Sequence, residues 1–332
     1  MIKFDEQKQI DSIRGALALR SEIESIVDAF WQGGSFRNIC WLGIGGTWAS
    51  CLQALCHMKE RTTLEVFALN AAEYCTTGDR RVGPGTMVVI SSVTGTTKEI
   101  IDAVSLARKS GAIILGFIDK AASALTGIVD HCITFPKNEQ LKFFMTADRF
   151  LFSAGEFPEY DAMYAQFDRC LPEAVTAAEK QADAFGADFA SRHKDDALHY
   201  FVGAGTLYGA VYSYGMCYWE EMHWMRTKSI HAAEFFHGML EIIEPDTPVT
   251  VFVGEDTQRC LGERVVRFLE KVSRNFTVID TRNYPLAGID EIYRGNVSHL
   301  VMHAVTNRID AHLEALSGHD MNDRRFYRKM DY

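Results

Sequence analysis

The chain has 332 residues, 47% hydrophobic and 23% charged, with a formal net charge of −10. That balance belongs to a globular protein with a sizeable core and room for two domains of about 150 residues each. It leaves no basic face to neutralise nucleic-acid phosphates, whereas a small anion held by backbone N–H groups stays compatible.

The eight cysteines, from Cys40 to Cys260, are scattered without a close pair, and several fall inside apolar runs. This is the usage of free thiols in a reducing compartment, not of a disulfide framework or a zinc site. The charged start MIKFDEQKQID carries no signal-peptide core, and no apolar run reaches the length of a membrane span. A cytoplasmic protein with no membrane partner is expected.

In chain order, residues 5–32 read as a helix, with Ile10, Ile13, Leu17, Leu19 and Ile23 on one face. Residues 38–42 form an apolar strand ended by Gly43, followed by Gly45-Gly46-Thr47 and a helix through His57. Further strands are predicted at 65–69, 86–91, 112–118 and 132–135, with a helix at 98–110. Strands alternating with helices of this size predict a parallel, doubly wound sheet. Between 138 and 196 no strand is predicted. Helices at 141–154 and 172–192 make a helical connector.

The pattern then restarts. A strand at 199–202 leads into Gly203-Ala204-Gly205-Thr206 and a helix over 207–225. Strands at 248–253 and 276–280 flank a helix at 258–273, and a last helix covers 297–316. Two strand–glycine turn–helix openings predict a tandem repeat of one α/β unit, packed as one body without a linker.

Ligands of such sheets bind at the carboxyl ends of strands, near helix N-termini. Two turns fit: Gly43-Ile44-Gly45-Gly46-Thr47, and Ser91-Ser92-Val93-Thr94-Gly95-Thr96-Thr97. The second offers five hydroxyls and one glycine just before a helix, which suits a phosphate monoester. Simple N-capping would require only one of those hydroxyls. The first turn lacks the GxGxxG spacing of a dinucleotide site, and no Walker A lysine is present.

Residues 219–244, WEEMHWMRTKSIHAAEFFHGMLEIIE, gather Glu220, Glu221, Glu234, Glu241 and Glu244 with His223, His231 and His237. Interleaved with Trp219, Trp224, Phe235 and Phe236, they have the composition of a partly buried polar site suited to acid–base chemistry. For single residues the bland alternatives are an ion pair of Glu221 with Arg226 and a core role for His231. If helical, His231, Glu234 and His237 could also make a metal set. The metal-free reading is preferred, and no cofactor is expected.

The segments CWLGIGGTW, VVISSVTGTTKEI and GAIILGF resemble the sugar isomerase (SIS) domain family, and the tandem arrangement resembles the isomerase half of glucosamine-6-phosphate synthase. IHAAEFFHGMLEIIEP and the ending DRRFYRKMDY resemble the fructosamine 6-phosphate deglycases. The resemblance covers essentially the whole chain. It implies two tandem SIS domains, residues 1–160 and 161–332, each a three-layer α/β/α sandwich of flavodoxin-like type. The helical connector would belong to the second.

Carried over residue by residue, the phosphate site falls on Gly45, Gly46, Thr47, Ser92, Thr94, Gly95 and Thr97. The catalytic base falls on Glu221, the ring-opening histidine on His237, and the EFFHG glutamate on Glu234. Lys329, Arg325 and His231 are further candidates. Departures from the family pattern are Val93, where glutamine or histidine is usual, and Met239, where proline is usual. The implied reaction splits a fructosamine 6-phosphate into glucose 6-phosphate and an amino acid. The implied assembly is a homodimer or larger homo-oligomer with its active site at the interface. The alternatives are a sugar-phosphate isomerase or amino-sugar-phosphate deaminase using the same residues, and then a sugar-phosphate sensor.

Overall fold

The computed structural model describes residues 1–327 and 329–331. The chain divides into two compact units: Gln7–Pro172, and the residues from Glu173 onward together with Met1–Glu6.

The first unit opens on α1 (Glu6–Leu17) and α2 (Arg20–Gln32). The single helix expected over 5–32 is therefore two. At the break the Leu19 N–H reaches back only to Ala16, so the first helix ends in a tightened turn. Each helix buries its own apolar set, Ile13, Ala16 and Leu17 in one and Ile23 and Val27 in the other.

Then follow β1 (Asn38–Gly43), α3 (Gly46–Lys59), β2 (Glu65–Asn70), α4 (Ala71–Thr77), β3 (Thr86–Ser92), α5 (Lys98–Lys109), β4 (Ile113–Ile118), β5 (His131–Ile133) and α6 (Glu139–Ser153). The strands form one parallel sheet in the order β2-β1-β3-β4-β5. Every residue of β1 and β3 is buried, as expected for apolar strands covered on both faces.

The division between units falls inside α7 (Tyr160–Gln181), which runs through Pro172. A helix was expected to begin at that proline. Instead Tyr160, Met163, Tyr164, Phe167 and Leu171, all buried, extend the helix upstream. Packing of this aromatic stripe outweighs the hydrogen bond that proline removes.

The second unit continues with α8 (Asp183–His193), β6 (His199–Gly203) and α9 (Thr206–Ser213). A π-helix over Tyr214–Glu220 follows, and then β7 (Thr227–His231), a 3₁₀ turn over Met239–Ile242, β8 (Val249–Val253), α10 (Arg259–Val272), β9 (Phe276–Asp280), α11 (Glu291–Arg294) and α12 (Ser298–Ser317). Its parallel sheet has the order β7-β6-β8-β9, repeating the first four strands of the other unit. In each sheet the order reverses beside the first strand. The reversal points are therefore the carboxyl ends of β1 and β3 in one unit, and of β6 and β8 in the other, where such sheets take ligands. No described helix is long and apolar enough to cross a membrane.

Candidate functional site

In the first unit both glycine- and hydroxyl-rich turns lie at the reversal point. Gly45, at φ +60°, swings the chain from β1 into α3, and no side chain caps that helix. The Thr47 hydroxyl braces the turn, accepting from the Ile44 N–H at 3.0 Å and donating to the Ile44 carbonyl at 2.9 Å. After β3, the buried Ser92 hydroxyl accepts from the Gly95 N–H at 3.0 Å, and Gly95 adopts φ +64°. The Thr94 hydroxyl accepts from the Thr96 hydroxyl at 3.0 Å.

Thr97 holds the N-cap position of α5 without a side-chain cap bond. Ser92, Thr94 and Thr47 thus shape the two loops, while α3 and α5 keep first-turn N–H groups that no side chain caps. Uncapped N–H groups with the positive ends of two helix dipoles make this an anion-compatible crevice. N-capping does not account for the hydroxyls. Val93 stands at the loop tip, 62% exposed.

The second unit repeats the turn and fills it. Gly205 has φ +60° and ψ −140°, against +60° and −128° at Gly45. There the Asp256 carboxylate, from the loop after β8, accepts from the Thr206 N–H at 2.8 Å and from the Thr206 hydroxyl at 2.9 Å. Its other oxygen accepts from the Gln258 N–H at 3.0 Å. A Cβ placed on Gly205 would stand 2.2 Å from Asp256 Oδ2, whereas one on Gly45 meets nothing within 4 Å. The same backbone turn is open in one unit and holds an internal carboxylate in the other.

Beside the first crevice lie two groups that the sequence reading missed. Glu139, at the start of α6, lies near the Ser50 and Ser91 hydroxyls; burial pushes its carboxyl up, and the two hydroxyls partly offset this. Lys142, fully buried, donates to the Phe135 carbonyl at 2.8 Å and lies 3.6 Å from Asp119. Burial lowers its ammonium against the pull of Asp119 and Glu139. A lysine inside the apolar run LKFFM was the available signal.

In the second unit, the helix expected over 207–225 stops at Ser213 and widens into the π-helix, and Glu221 caps that wide turn. The Glu221 N–H reaches Met216 and the His223 N–H reaches Tyr218, each five residues back. Such widened turns concentrate at functional sites. Below it, buried Asp310 of α12 faces the His223 ring at 3.2 Å and accepts from the Tyr214 hydroxyl at 3.1 Å.

Glu221 pairs with Arg324 of the tail, whose Nε donates to Glu221 Oε1 at 2.8 Å, and not with Arg226. Arg324 was not among the expected residues. Arg325 instead lays its guanidinium 4.1 Å from the centre of the Trp224 ring. Lys329 is exposed and forms no ion pair with another described residue. Arg328 and Tyr332, part of the tail resemblance, lie outside the described residues.

His231 ends β7, its ring against Tyr208 and its Nδ1 accepting from the Ala233 N–H at 3.1 Å. Residues 232–238 form turns, in which Glu234 and His237 are exposed. The expected partly buried cluster is thus largely a surface one, since Glu220, Glu234, Glu241 and Glu244 are exposed and only Glu221 is half-buried. Trp219 and Phe235 are fully buried, but they turn into the core.

The helical metal set is also overturned, because no α-helix aligns His231, Glu234 and His237. Among the described residues, metal-ligand geometry occurs at His193, Asp196 and His199, whose ligand atoms lie within 4.8 Å. There both Nδ1 atoms hydrogen-bond Asp196 Oδ2, at 2.8 and 2.7 Å. His199 Nε2 meets the Thr250 hydroxyl at 2.8 Å, and Arg192 faces His193 Nε2 at 3.3 Å. Neutral imidazoles satisfy every one of these bonds. Metal on Nδ1 would put an N–H against the Arg192 donors, so the set reads as a structural bridge.

Residues 35–150 match the family model of the SIS domain. The chain as a whole is similar to the fructosamine deglycase FrlB of Bacillus subtilis (strain 168), at 26% identity over 94% of this chain and 98% of the relative. It is similar to the fructoselysine 6-phosphate deglycase of Escherichia coli O157:H7, at 24% identity over 85% of this chain and 83% of the relative. In fold it matches a crystal structure from Bacillus subtilis described as a candidate phosphosugar isomerase. The TM-score is 0.87 at 24% identity, covering 94% of this chain and all of that one.

Proposed function

We propose that the protein is a fructosamine 6-phosphate deglycase, releasing glucose 6-phosphate and a free amino acid. The observation that carries this reading is the open crevice of the first unit. Its two helix N-termini without side-chain caps and its braced hydroxyl loop suit a sugar phosphate. Similarity to deglycases along most of the chain directs the choice among sugar-phosphate reactions.

In the proposed reaction Glu221 takes a proton from C1 of the ketoamine, giving an enaminol. Return of a proton at C2 gives an imine, which water hydrolyses to the aldehyde and the amine. A carboxylate is fit for this carbon-to-carbon proton transfer, and Glu221 Oε2 has no hydrogen-bond partner among the described residues. His237, exposed beside Gly238, would open the sugar ring and protonate the departing nitrogen, with Glu234 in the same turn. The working form would be a homo-oligomer, at least a dimer, with the active site at the subunit interface.

The test is a coupled assay for glucose 6-phosphate with fructoselysine, glucoselysine and fructose-asparagine 6-phosphates. Turnover of one of them, reduced at least about 100-fold in Glu221→Gln, is expected. Conversion of fructose 6-phosphate alone would replace the reading with an isomerase.

A further inference from the structure

The tail beyond α12 docks on the turn that carries Glu221. His319 Nε2 lies 2.8 Å from the Met222 carbonyl, and its ring packs tilted against Trp224, with ring centres 4.0 Å apart. Trp224 itself is held at φ +58°, a conformation a bulky residue adopts only when its surroundings impose it. Arg324 is fixed by its own segment. Its Nη1 donates to the Met321 carbonyl at 2.6 Å and to the Asp323 carbonyl at 2.9 Å, while Nε points at Glu221 Oε1. Both partners are largely sheltered, with side-chain exposures of 17% for Arg324 and 31% for Glu221.

A glutamate's last torsion is broad, so an unrestrained carboxylate samples many orientations. A charge-assisted N–H···O⁻ bond from an anchored guanidinium removes that freedom. We infer that Arg324 is a positioning residue for Glu221: it holds one carboxylate oxygen and so presents the other to the proton being moved. The kinetic side of this inference rests on Glu221 being the base. The pairing itself does not. Lysine would keep the charge, but its ammonium cannot bridge the carboxylate and two carbonyls as the fork does.

The experiment compares wild type, Arg324→Gln and Arg324→Lys in the glucose 6-phosphate assay. Arg324→Gln is expected to lose about 10- to 100-fold in kcat with KM little changed, Arg324→Lys to fall between, and added guanidinium to restore part of the Arg324→Gln loss. An unchanged kcat, or a loss confined to KM, would overturn the inference.

A second arm needs no turnover. Trypsin cleavage after Arg324 is followed in wild type and in Glu221→Gln, whose amide keeps the shape of the carboxylate. Faster cleavage in the variant is expected, and equal rates would overturn the pairing. If wild type releases no glucose 6-phosphate from any substrate, the deglycase reading fails by itself, and the trypsin arm still decides the Arg324 inference.

Discussion

The Asp256 carboxylate grips the start of α9 through Thr206, accepting from both its N–H and its hydroxyl. Truncating it leaves the Thr206 and Gln258 N–H groups in need of new partners. Asp256→Ala is expected to lower the free energy of unfolding by about 1–3 kcal/mol, with Asp256→Asn costing less. Urea unfolding checks this. A wild-type midpoint in the alanine variant would contradict it.

Gly45 and Gly205 share φ +60° but not their surroundings. Gly45→Ala should cost about 1–3 kcal/mol, because φ +60° with ψ −128° is a backbone conformation open essentially to glycine. Gly205→Ala carries the same strain and also drives a methyl group into Asp256, so its melting temperature should fall clearly further. Equal melting temperatures would mean that Asp256 is not held at the turn in solution.

His199 is fully buried, and desolvation lowers its imidazole to about 4 against the opposing hydrogen bond that it donates to Asp196. An unfolded histidine takes up its proton near pH 6.5, before the folded one does. The stability contribution is therefore complete above about pH 6.5 and is lost as the pH falls toward 4, by up to about 3 kcal/mol. Asp196 is only half-buried, and the histidine hydrogen bonds hold it below its usual range against the desolvation, so its own loss comes at still lower pH. Urea midpoints between pH 7.5 and 4.5 should show this slope, flattened in His199→Gln. The same slope in the variant would point to another group.

The strands that carry the crevice were legible because β1, β3, β6 and β8 are apolar runs covered on both faces. β7 was not, since TKSIH is a half-exposed edge with one aliphatic residue. α4 is too short for a helical period to register, and its N-cap, Asn70, directly follows the strand read over 65–69. Both loops of the first crevice follow from local sequence. The Asp256–Thr206 contact joins residues fifty positions apart and the Arg324–Glu221 pair 103 apart, beyond the reach of any local pattern. The aromatic–acidic stretch misled for a related reason. Trp219 and Phe235 face the core while Trp224 and most of the carboxylates face water, a separation that composition alone does not express.

α12 holds the Glu221 turn from beneath through Asp310, and its continuation past Gly318 delivers Arg324 from the other direction. The backbone that aims the carboxylate and the guanidinium that steadies it thus hang on a single helix. Fraying of the last turns of α12 would release both together, so amide exchange at 222–225 should rise in step with exchange at 313–317 as denaturant is added. In this fold the resting order of the turn is a property of a cooperative unit rather than of the residues nearest to it.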